Sequence, residues 1–263
     1  MQPPAPRPAP QKLEIHALCG LPELSSGAPL AELLCQAASN SGVPFTDGDV
    51  LVVAQKIVSK AEGRLVELAT VEPTPFARSL ALTLQKDPRL VEVVLQQSRR
   101  IVRMDSGPTA PGLIVVETHH GFVCANAGVD TSNVPAGWVA MLPCDPDASA
   151  HRLREKIAHH TGANVAVLIS DTFGRPWREG LTNVAIGVAG FEPAIDYRGQ
   201  SDPHGNVLAA TVVAAADELA AAAELVMGKI SRRPAAVIRH FCWTPAPGKA
   251  TDLIRPREKD LFR

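Results

Sequence analysis

The sequence lacks the patterns that most directly identify membrane proteins, disulfide scaffolds and the common nucleotide-binding folds. No apolar run approaches the roughly 18 residues that suggest a membrane-spanning helix. The five cysteines lie far apart without a CxxC spacing, which favours reduced thiols in a cytoplasmic protein. Neither GxxxxGK[ST] nor GxGxxG after a strand is present, so any nucleotide must be bound by another design.

The chain is also nearly neutral, because its 26 Lys and Arg residues almost balance its 27 Asp and Glu residues and leave a formal charge of -1. Such a chain has no basic field to hold a nucleic acid non-specifically. Its 263 residues are 46% hydrophobic, enough for a substantial core. The start, MQPPAPRPAP, lacks the apolar centre of a signal peptide. We predict a disordered, Pro-rich tail over residues 1–11 and a single domain over 12–263.

Strand-like and helix-like segments mix without a strict βαβ rhythm, which predicts an α+β fold with mixed sheets and packed helices. The apolar run after Gly48 predicts a buried strand that emerges at Lys56 and Lys60. A helix over 147–162 is expected to begin near Asp147 or Ser149 and to stop at Gly162. Further strands are predicted at 12–18, 99–104, 113–118, 121–125, 164–170 and 233–241, and further helices at 29–39, 74–96 (with a break at 87–88) and 211–227.

Two acidic residues, Asp130 and Asp171, each follow an apolar strand and open a loop of small residues. Strand ends are common ligand sites, and Mg²⁺ typically takes one or two carboxylates together with substrate phosphates. Thr172 offers a further oxygen, through its hydroxyl or its carbonyl, and Asn133 can bond a phosphate or a base. The alternative is that either aspartate only fixes a turn or caps a helix.

Basic side chains accompany both acidic segments. Arg175 and Arg178 suit phosphates and carboxylates, and a helical segment would point both the same way. Their alternative role is surface solvation or an ion pair with Glu179. Lys56 and Lys60 are a weaker phosphate signal. The polar stretch 195–208 is either a functional loop or a hairpin connection, and the two His-His pairs are expected to be structural, since adjacent residues point different ways.

Several segments together resemble the coenzyme F-420 gamma-glutamyl ligase family. They are LPEL, GDVLVVAQKIVSKAEGR, NAGVDTSNV, MLPCDPDASA, ISDTFGRPWREGLTNVAIGVAG, DPHGN, ADELAAAAELVMGK and RPREKDLF. They run in order from about residue 12 to the C-terminus, which is far more specific than any single motif. Some relatives carry an additional nitroreductase-like domain, and this chain resembles the stand-alone form.

The resemblance implies a GTP-dependent ligase with a family-specific α+β fold and an intertwined homodimer. By motif match, Asp130, Asp171 and Thr172 would bind Mg²⁺ or Mn²⁺, with K⁺ as a further candidate ion. The segment Leu21, Pro22, Glu23 and Leu24 would line the GTP site, and Lys60 and Asn133 would contact GTP. Gln55 stands where relatives have a small hydroxyl residue, so its GTP contact depends on its amide. The VMGK stretch over 226–229 is expected near the nucleotide.

The implied substrates are GTP, L-glutamate and the coenzyme F-420 precursor (F-420-0), all anionic, and Arg175 and Arg178 would be available to them as catalytic cations. The expected chemistry is an acyl phosphate formed from GTP and attacked by the glutamate amine, with gamma-linked additions afterwards and GDP and phosphate released. Two rival hypotheses remain: a carboxylate–amine ligase with a different acceptor, and a non-catalytic nucleotide-binding protein.

Overall fold

A computed structural model describes residues 11–106 and 111–260 of the chain, and it has the predicted α+β architecture with mixed sheets. The strands are β1 (Glu14–Ala17), β2 (Val50–Ala54), β3 (Leu65–Glu67), β4 (Ser98–Asp105), β5 (Leu113–Thr118), β6 (Val123–Ala125), β7 (Trp138–Ala140), β8 (Ala166–Arg175), β9 (Arg178–Ala189), β10 (Ile195–Asp196), β11 (Val212–Val213) and β12 (Ala235–Arg239). The α-helices are α1 (Leu30–Asn40), α2 (Gln55–Ala61), α3 (Pro75–Leu84), α4 (Pro88–Gln96), α5 (Pro146–Thr161) and α6 (Ala215–Met227). The predicted tail lies outside the described residues apart from Gln11, and the single-domain assignment stays a prediction.

The largest sheet has the strand order β1-β12-β2-β8-β9. Only β2 and β8 pair in parallel, and the other three pairings are antiparallel. The parallel register starts with Val50 opposite Ala166 and ends with Ala54 opposite Ser170. Beyond Ser170, β8 therefore continues without β2 beside it.

Both faces of this sheet are buried, and the side chains of each strand point alternately to one face and the other. Leu51 and Val53 of β2 pack in the cluster that includes residues of α1 and α5. Val50 and Val52 pack in the opposite cluster, which includes residues of α6. All four side chains are 0% exposed, which explains why β2 is a continuous β-branched and leucine run rather than an alternating one.

A second layer is built by the sheet β4-β5-β6, the ribbon β3-β7 and the helices α3 and α4. The predicted break between the two helices is confirmed, because α3 ends at Leu84 and Asp87 caps α4 through the backbone N–H of Arg89. Pro88 then occupies the first turn, where a missing N–H costs nothing. This layer supplies Asp130, which follows β6 and forms an isolated antiparallel bridge with Ala140 at the end of β7.

The predicted cap of α5 is wrong by a few residues. Asp145 caps the helix by accepting the backbone N–H of Ala148, and Gly162 ends it in the left-handed conformation, as expected. Asp147 instead accepts the backbone N–H groups of Val188 and Ala250, both at 2.8 Å. Its carboxylate therefore joins the outer side of β9 to the C-terminal segment.

The segment from Asp171 onward is a hairpin, so the helical option for Arg175 and Arg178 is wrong. β8 runs to Arg175, the turn contains Trp177 with φ of 57°, and β9 starts at Arg178, which pairs with Arg175. Asp171 accordingly lies inside β8, opposite Val184, and does not open a loop.

The segment after β2 also differs from the prediction. The strand stops at Ala54 and α2 begins at Gln55, so Lys56 and Lys60 lie one helical turn apart and not on an extended strand. The stretch 195–208 begins with β10, which pairs with β11, and its inner bridge joins Ser201 to Val207, so the expected hairpin connection is confirmed. A functional role for this stretch stays a prediction. Across the described ranges, no helix has the length and apolar character needed to cross a bilayer.

Candidate active site

The two predicted metal-binding carboxylates approach each other where β2 ends. Asp171 is the first residue of β8 after the parallel pairing stops, and it lies on the face shared with Ile169 and Phe173. Asp130 comes from the segment after β6, and its negative charge contributes to a raised pKa at Asp171. The fold therefore brings together two acidic residues that lie 41 positions apart in the sequence.

Lys56 supplies a positive charge to this pair. Its ammonium lies 2.6 Å from Asp130 Oδ2 and also donates to the Ser132 hydroxyl. The Ser132 backbone N–H donates to Asp130 Oδ1 at 2.7 Å. Burial alone would raise the pKa of Asp130, but the hydrogen bonds from Lys56 and Ser132 outweigh it and hold that pKa below its ordinary value. Asp130 is thus a carboxylate that stays ionised and already faces a cation.

Asp171 has the opposite electrostatic character. Burial raises its pKa to about 6, and the charge of Asp130 adds to the effect. The backbone N–H of Thr172 and the ammonium groups of Lys56 and Lys229 act in the other direction without cancelling it. A partly buried carboxylate with too little positive charge near it is a favourable position for a cation.

The donor set fits a divalent cation that also needs a phosphate ligand. Within residues 11–106 and 111–260, no three His, Cys, Asp or Glu side chains come together in a metal-binding arrangement. Two carboxylates are nevertheless what Mg²⁺ usually takes from a protein when substrate phosphates and water complete the octahedron. Asp130 and Asp171 match that chemistry and do not match a closed zinc site.

Thr172 points to the other face of β8, because neighbours on a strand alternate. Its hydroxyl donates to Asn183 Oδ1 at 2.7 Å and accepts from the Lys229 ammonium. Lys229 also lies 3.2 Å from Glu224 Oε1, and Asn183 Nδ2 donates to Glu224 Oε2 at 3.2 Å. The Thr172 hydroxyl is therefore already engaged by Asn183 and Lys229, and a cation bound through it would have to compete with these contacts.

This group behind Thr172 was missed by sequence reasoning. Asn183 lies in a segment for which no strand was predicted, and Glu224 lies in the predicted Ala-rich helix over 211–227. The available signal was a polar side chain directly before the apolar run 184–189, since a buried amide requires hydrogen-bonding partners.

Among the predicted nucleotide-site residues, the structure connects Lys60 with Glu23. The Lys60 ammonium donates to the Glu23 carboxylate, and the Lys60 side chain is 8% exposed whereas that of Glu23 is 83% exposed. Leu24 is buried, Leu21 packs partly against the core, and Pro22 is exposed. The LPEL segment therefore lies beside α2, which also carries Lys56.

Gln55 faces inward at the start of α2 and is 1% exposed. Its Oε1 accepts the Ser59 hydroxyl at 2.8 Å, while its Nε2 has no partner among the described residues. The unpaired Nε2 is itself buried, and the GTP contact of Gln55 stays a prediction.

Two predicted residues are not gathered at the carboxylates. Arg175 is exposed at the end of β8, four residues along the strand from Asp171, which corresponds to about 13 Å, and the exposed Arg178 pairs with it across the hairpin. Any contact these two residues make with a substrate at Asp171 depends on a long substrate or on a second chain. Asn133 is exposed, three residues after Asp130, with a left-handed backbone at φ of 56°.

The remaining candidate groups have structural roles. His119 and His120 each bond backbone carbonyl oxygens through Nε2, which agrees with the structural expectation for that pair. All five cysteines are free, so no disulfide stabilises the fold. Cys124 is buried, and its pKa is raised to about 12 by burial and by the charge of Asp171, which makes it a poor nucleophile.

Comparison with known proteins gives a consistent result. The family model described as F420-0:Gamma-glutamyl ligase matches residues 20–240. The coenzyme F420:L-glutamate ligase of Methanothermobacter thermautotrophicus is 46% identical over 93% of this chain and 96% of its own length. The coenzyme F420:L-glutamate ligase of Methanopyrus kandleri is 46% identical over 90% of this chain and 92% of its own length. That of Methanocaldococcus jannaschii is 41% identical over 96% of this chain and 98% of its own length.

Proposed function

The chain belongs to the F420-0:gamma-glutamyl ligase family, and from that premise we propose that it joins L-glutamate to F420-0 in a GTP-dependent reaction. The observation that carries the proposal is the pair Asp130 and Asp171, brought together where β2 ends and flanked by Lys56. Two carboxylates with an unneutralised charge suit a nucleotide triphosphate and its divalent cation, and a protein that only bound a small neutral ligand would have no use for them.

The proposed reaction has two steps. The terminal carboxylate of F420-0 forms a bond to the γ-phosphorus of GTP, and the bond from that phosphorus to the β,γ-bridging oxygen breaks, releasing GDP. The amino group of L-glutamate then forms an amide bond at the acyl carbon, and inorganic phosphate leaves. Later additions use the γ-carboxylate of the growing tail. The enzyme contributes positioning and charge stabilisation in both steps.

Residues around Asp171 of β8 would perform the electrostatic part of this work. Asp130, Asp171 and Thr172 would hold Mg²⁺ or Mn²⁺, with K⁺ as an additional candidate ion. The divalent ion would supply neutralisation of the phosphate charge and a fixed orientation for it. Lys56 keeps Asp130 ionised, and the ammonium of Lys229 approaches from the other face of the strand.

Nucleotide recognition is assigned to the surface around α2. Lys60 and Asn133 would contact GTP, the segment 21–24 would line its site, and Gln55 would donate through its free Nε2. Lys60 is held by Glu23 in the ligand-free protein, so a phosphate would compete with that carboxylate for the ammonium. Arg175 and Arg178 would bind the carboxylate and phosphodiester groups of the other two substrates.

We also propose a homodimer. The β8–β9 hairpin exposes large apolar side chains, with Trp177 80% and Leu181 69% exposed. Light scattering after size-exclusion chromatography tests the dimer, and a monomer at micromolar concentration would contradict it.

The first experiment is an endpoint assay with purified protein, F420-0, L-glutamate, GTP and Mn²⁺ or Mg²⁺, followed by mass spectrometry and GDP release. Products heavier by whole glutamate units, with GDP formed only in the complete mixture, support the proposal. GTP turnover with another carboxylic acid, but not with F420-0, would indicate a ligase with a different acceptor. Nucleotide binding without any turnover would indicate the non-catalytic alternative.

Asp171→Asn is the matched test of the site within that assay. It is expected to reduce turnover by at least about a hundredfold, because it removes one of the two carboxylates assigned to the cation. Asp217→Asn is the control, since Asp217 is also a carboxylate whose burial raises its pKa but which bonds only the Ala185 backbone among the described contacts. Full activity in the Asp171 variant would refute the metal assignment.

A further inference from the structure

Asn183 of β9 is buried, with 4% exposure, and every hydrogen-bonding position of its amide is used. Its Oδ1 accepts from the Thr172 hydroxyl at 2.7 Å and from the Lys229 ammonium at 3.4 Å. Its Nδ2 donates to Glu224 Oε2 at 3.2 Å and to the Ser170 hydroxyl at 3.4 Å. One amide therefore joins β8, β9, α6 and the segment after α6.

Lys229 depends on the same group for its position. Its side chain is 59% exposed, so packing does not fix it, and its ammonium is held by Glu224, Thr172 and Asn183. It follows Gly228, which has a φ of 63° and a backbone turn that ends α6. The ammonium is close enough to Asp171 to lower the pKa of that carboxylate.

An amide side chain can both donate and accept hydrogen bonds, and the neighbours of position 183 require both. Glu224 requires a donor, whereas the Thr172 hydroxyl and the Lys229 ammonium require an acceptor. A carboxylate at position 183 could only accept, and an apolar residue could do neither and would leave buried polar atoms unpaired. A residue needed only for packing between β8 and α6 would be apolar at lower desolvation cost.

We propose that Asn183 is a positioning residue for the ligase reaction, which orients the Thr172 hydroxyl directly and the Lys229 ammonium with the help of Glu224. The inference rests on the proposed function, because it assigns those two groups to the Asp171 end of the site. Asn183 is itself buried, and it acts through the Thr172 hydroxyl and the Lys229 ammonium on the face of β8 opposite Asp171.

The experiment compares Asn183→Asp with the double variant Asn183→Asp, Glu224→Gln. The single variant places two carboxylates against each other and lacks a donor. The double variant restores one donor and one acceptor, with the original total charge, because the amide introduced by Glu224→Gln can donate to the new carboxylate. The measured quantities are Mn²⁺ affinity by electron paramagnetic resonance in the presence of GTP, kcat and KM for GTP, and the thermal unfolding midpoint.

The single variant is expected to bind Mn²⁺ about 10- to 100-fold more weakly, as is typical for loss of a group that orients a metal ligand. The double variant is expected to recover most of that loss. Equal Mn²⁺ affinity in wild type and Asn183→Asp would overturn the proposal, and so would a double variant that binds no better than the single one. If kcat falls only in proportion to the unfolding midpoint, with no separate loss of Mn²⁺ affinity, Asn183 has a structural role alone and the proposal is overturned.

The wild-type measurement separates this inference from the proposed function. If wild-type protein binds no Mn²⁺–GTP and forms no glutamylated product, the proposed function fails, and the positioning role fails with it. If wild-type protein ligates normally and both variants do as well, only the role of Asn183 is refuted.

Discussion

Replacing Asp171 with Asn is expected to stabilise the ligand-free protein at neutral pH while removing its activity. The pKa of Asp171 is raised from 3.8 to about 6, mainly by burial and also by the charge of Asp130. A carboxyl group with a raised pKa holds its proton more tightly in the folded than in the unfolded state. Its favourable contribution is therefore complete below pH 3.8 and is lost as the pH rises through about 6.

The size of the effect follows from that shift. A change from 3.8 to about 6 corresponds to an upper bound of about 3 kcal/mol at about 1.4 kcal/mol per pKa unit. Asp171 is only partly buried, so solvent screening reduces the expected gain to about 1–2 kcal/mol. For a chain of this length, that gain raises the unfolding midpoint by about 2–8 °C.

The assay is thermal unfolding with EDTA over a pH series from about 4 to 8, using wild type, Asp171→Asn and the control Asp217→Asn. The Asp171 variant should melt above wild type at pH 7–8, and the difference should shrink to nothing towards pH 4. Mn²⁺ with GTP should then stabilise wild type and the control but not the Asp171 variant. A lower midpoint for Asp171→Asn at pH 8, or a difference independent of pH, would refute the electrostatic reasoning.

Three further predictions concern the support of the site. Gly187→Ala should lower the free energy of urea unfolding by more than about 2 kcal/mol, because its Cβ would lie 2.4 Å from the backbone carbonyl oxygen of Pro146. The control Gly174→Ala, whose Cβ would have its nearest contact at 3.9 Å, should lower it by less than about 1 kcal/mol. Equal losses in the two variants would contradict this reasoning. Asp147→Ala should lose about 2–3 kcal/mol in the same assay, since two backbone N–H groups lose their acceptor, and an unchanged midpoint would show that water replaces it. Lys56→Met should raise the pKa of Asp130 in a carboxyl NMR titration, and an unchanged titration would mean that Ser132 alone holds it low.

Much of the fold could be predicted because local signals agreed with the tertiary structure. The continuous apolar run of β2 indicates a strand buried on both faces, and Asp87 followed by Pro88 indicates the start of α4. The β8–β9 hairpin was harder to predict, since its outer arms carry polar residues and its turn places Trp177 in a left-handed conformation that usually favours Gly, Asn or Asp. The register of the hairpin depends on how β8 pairs with the rest of the sheet, and the sequence of the hairpin segment does not show that pairing.

The candidate site also has residues that the local sequence indicates and contacts that it does not. Asp130 and Asp171 could be selected because each follows an apolar run, although Asp171 lies inside a strand. The ion pair of Lys56 with Asp130 joins segments 74 residues apart, and the amide contact of Asn183 with Glu224 joins segments 41 residues apart. No local pattern reports either contact, because both depend on how β6 and α6 pack against β8.

The position of Asp171 and Thr172 on a strand also has a consequence for how a nearly neutral protein binds polyanions. Adjacent strand residues face opposite sides, so Asp171 meets Lys56 and Asp130 on one face while Thr172 meets Lys229 on the other. Each ammonium is paired with an acidic group, Asp130 or Glu224, that lowers the local net charge before a ligand arrives. A triphosphate that takes over one ammonium leaves a carboxylate free, and that carboxylate then favours a divalent cation. Nucleotide and cation should therefore bind cooperatively around Asp171 of β8, each creating the charge that the other requires.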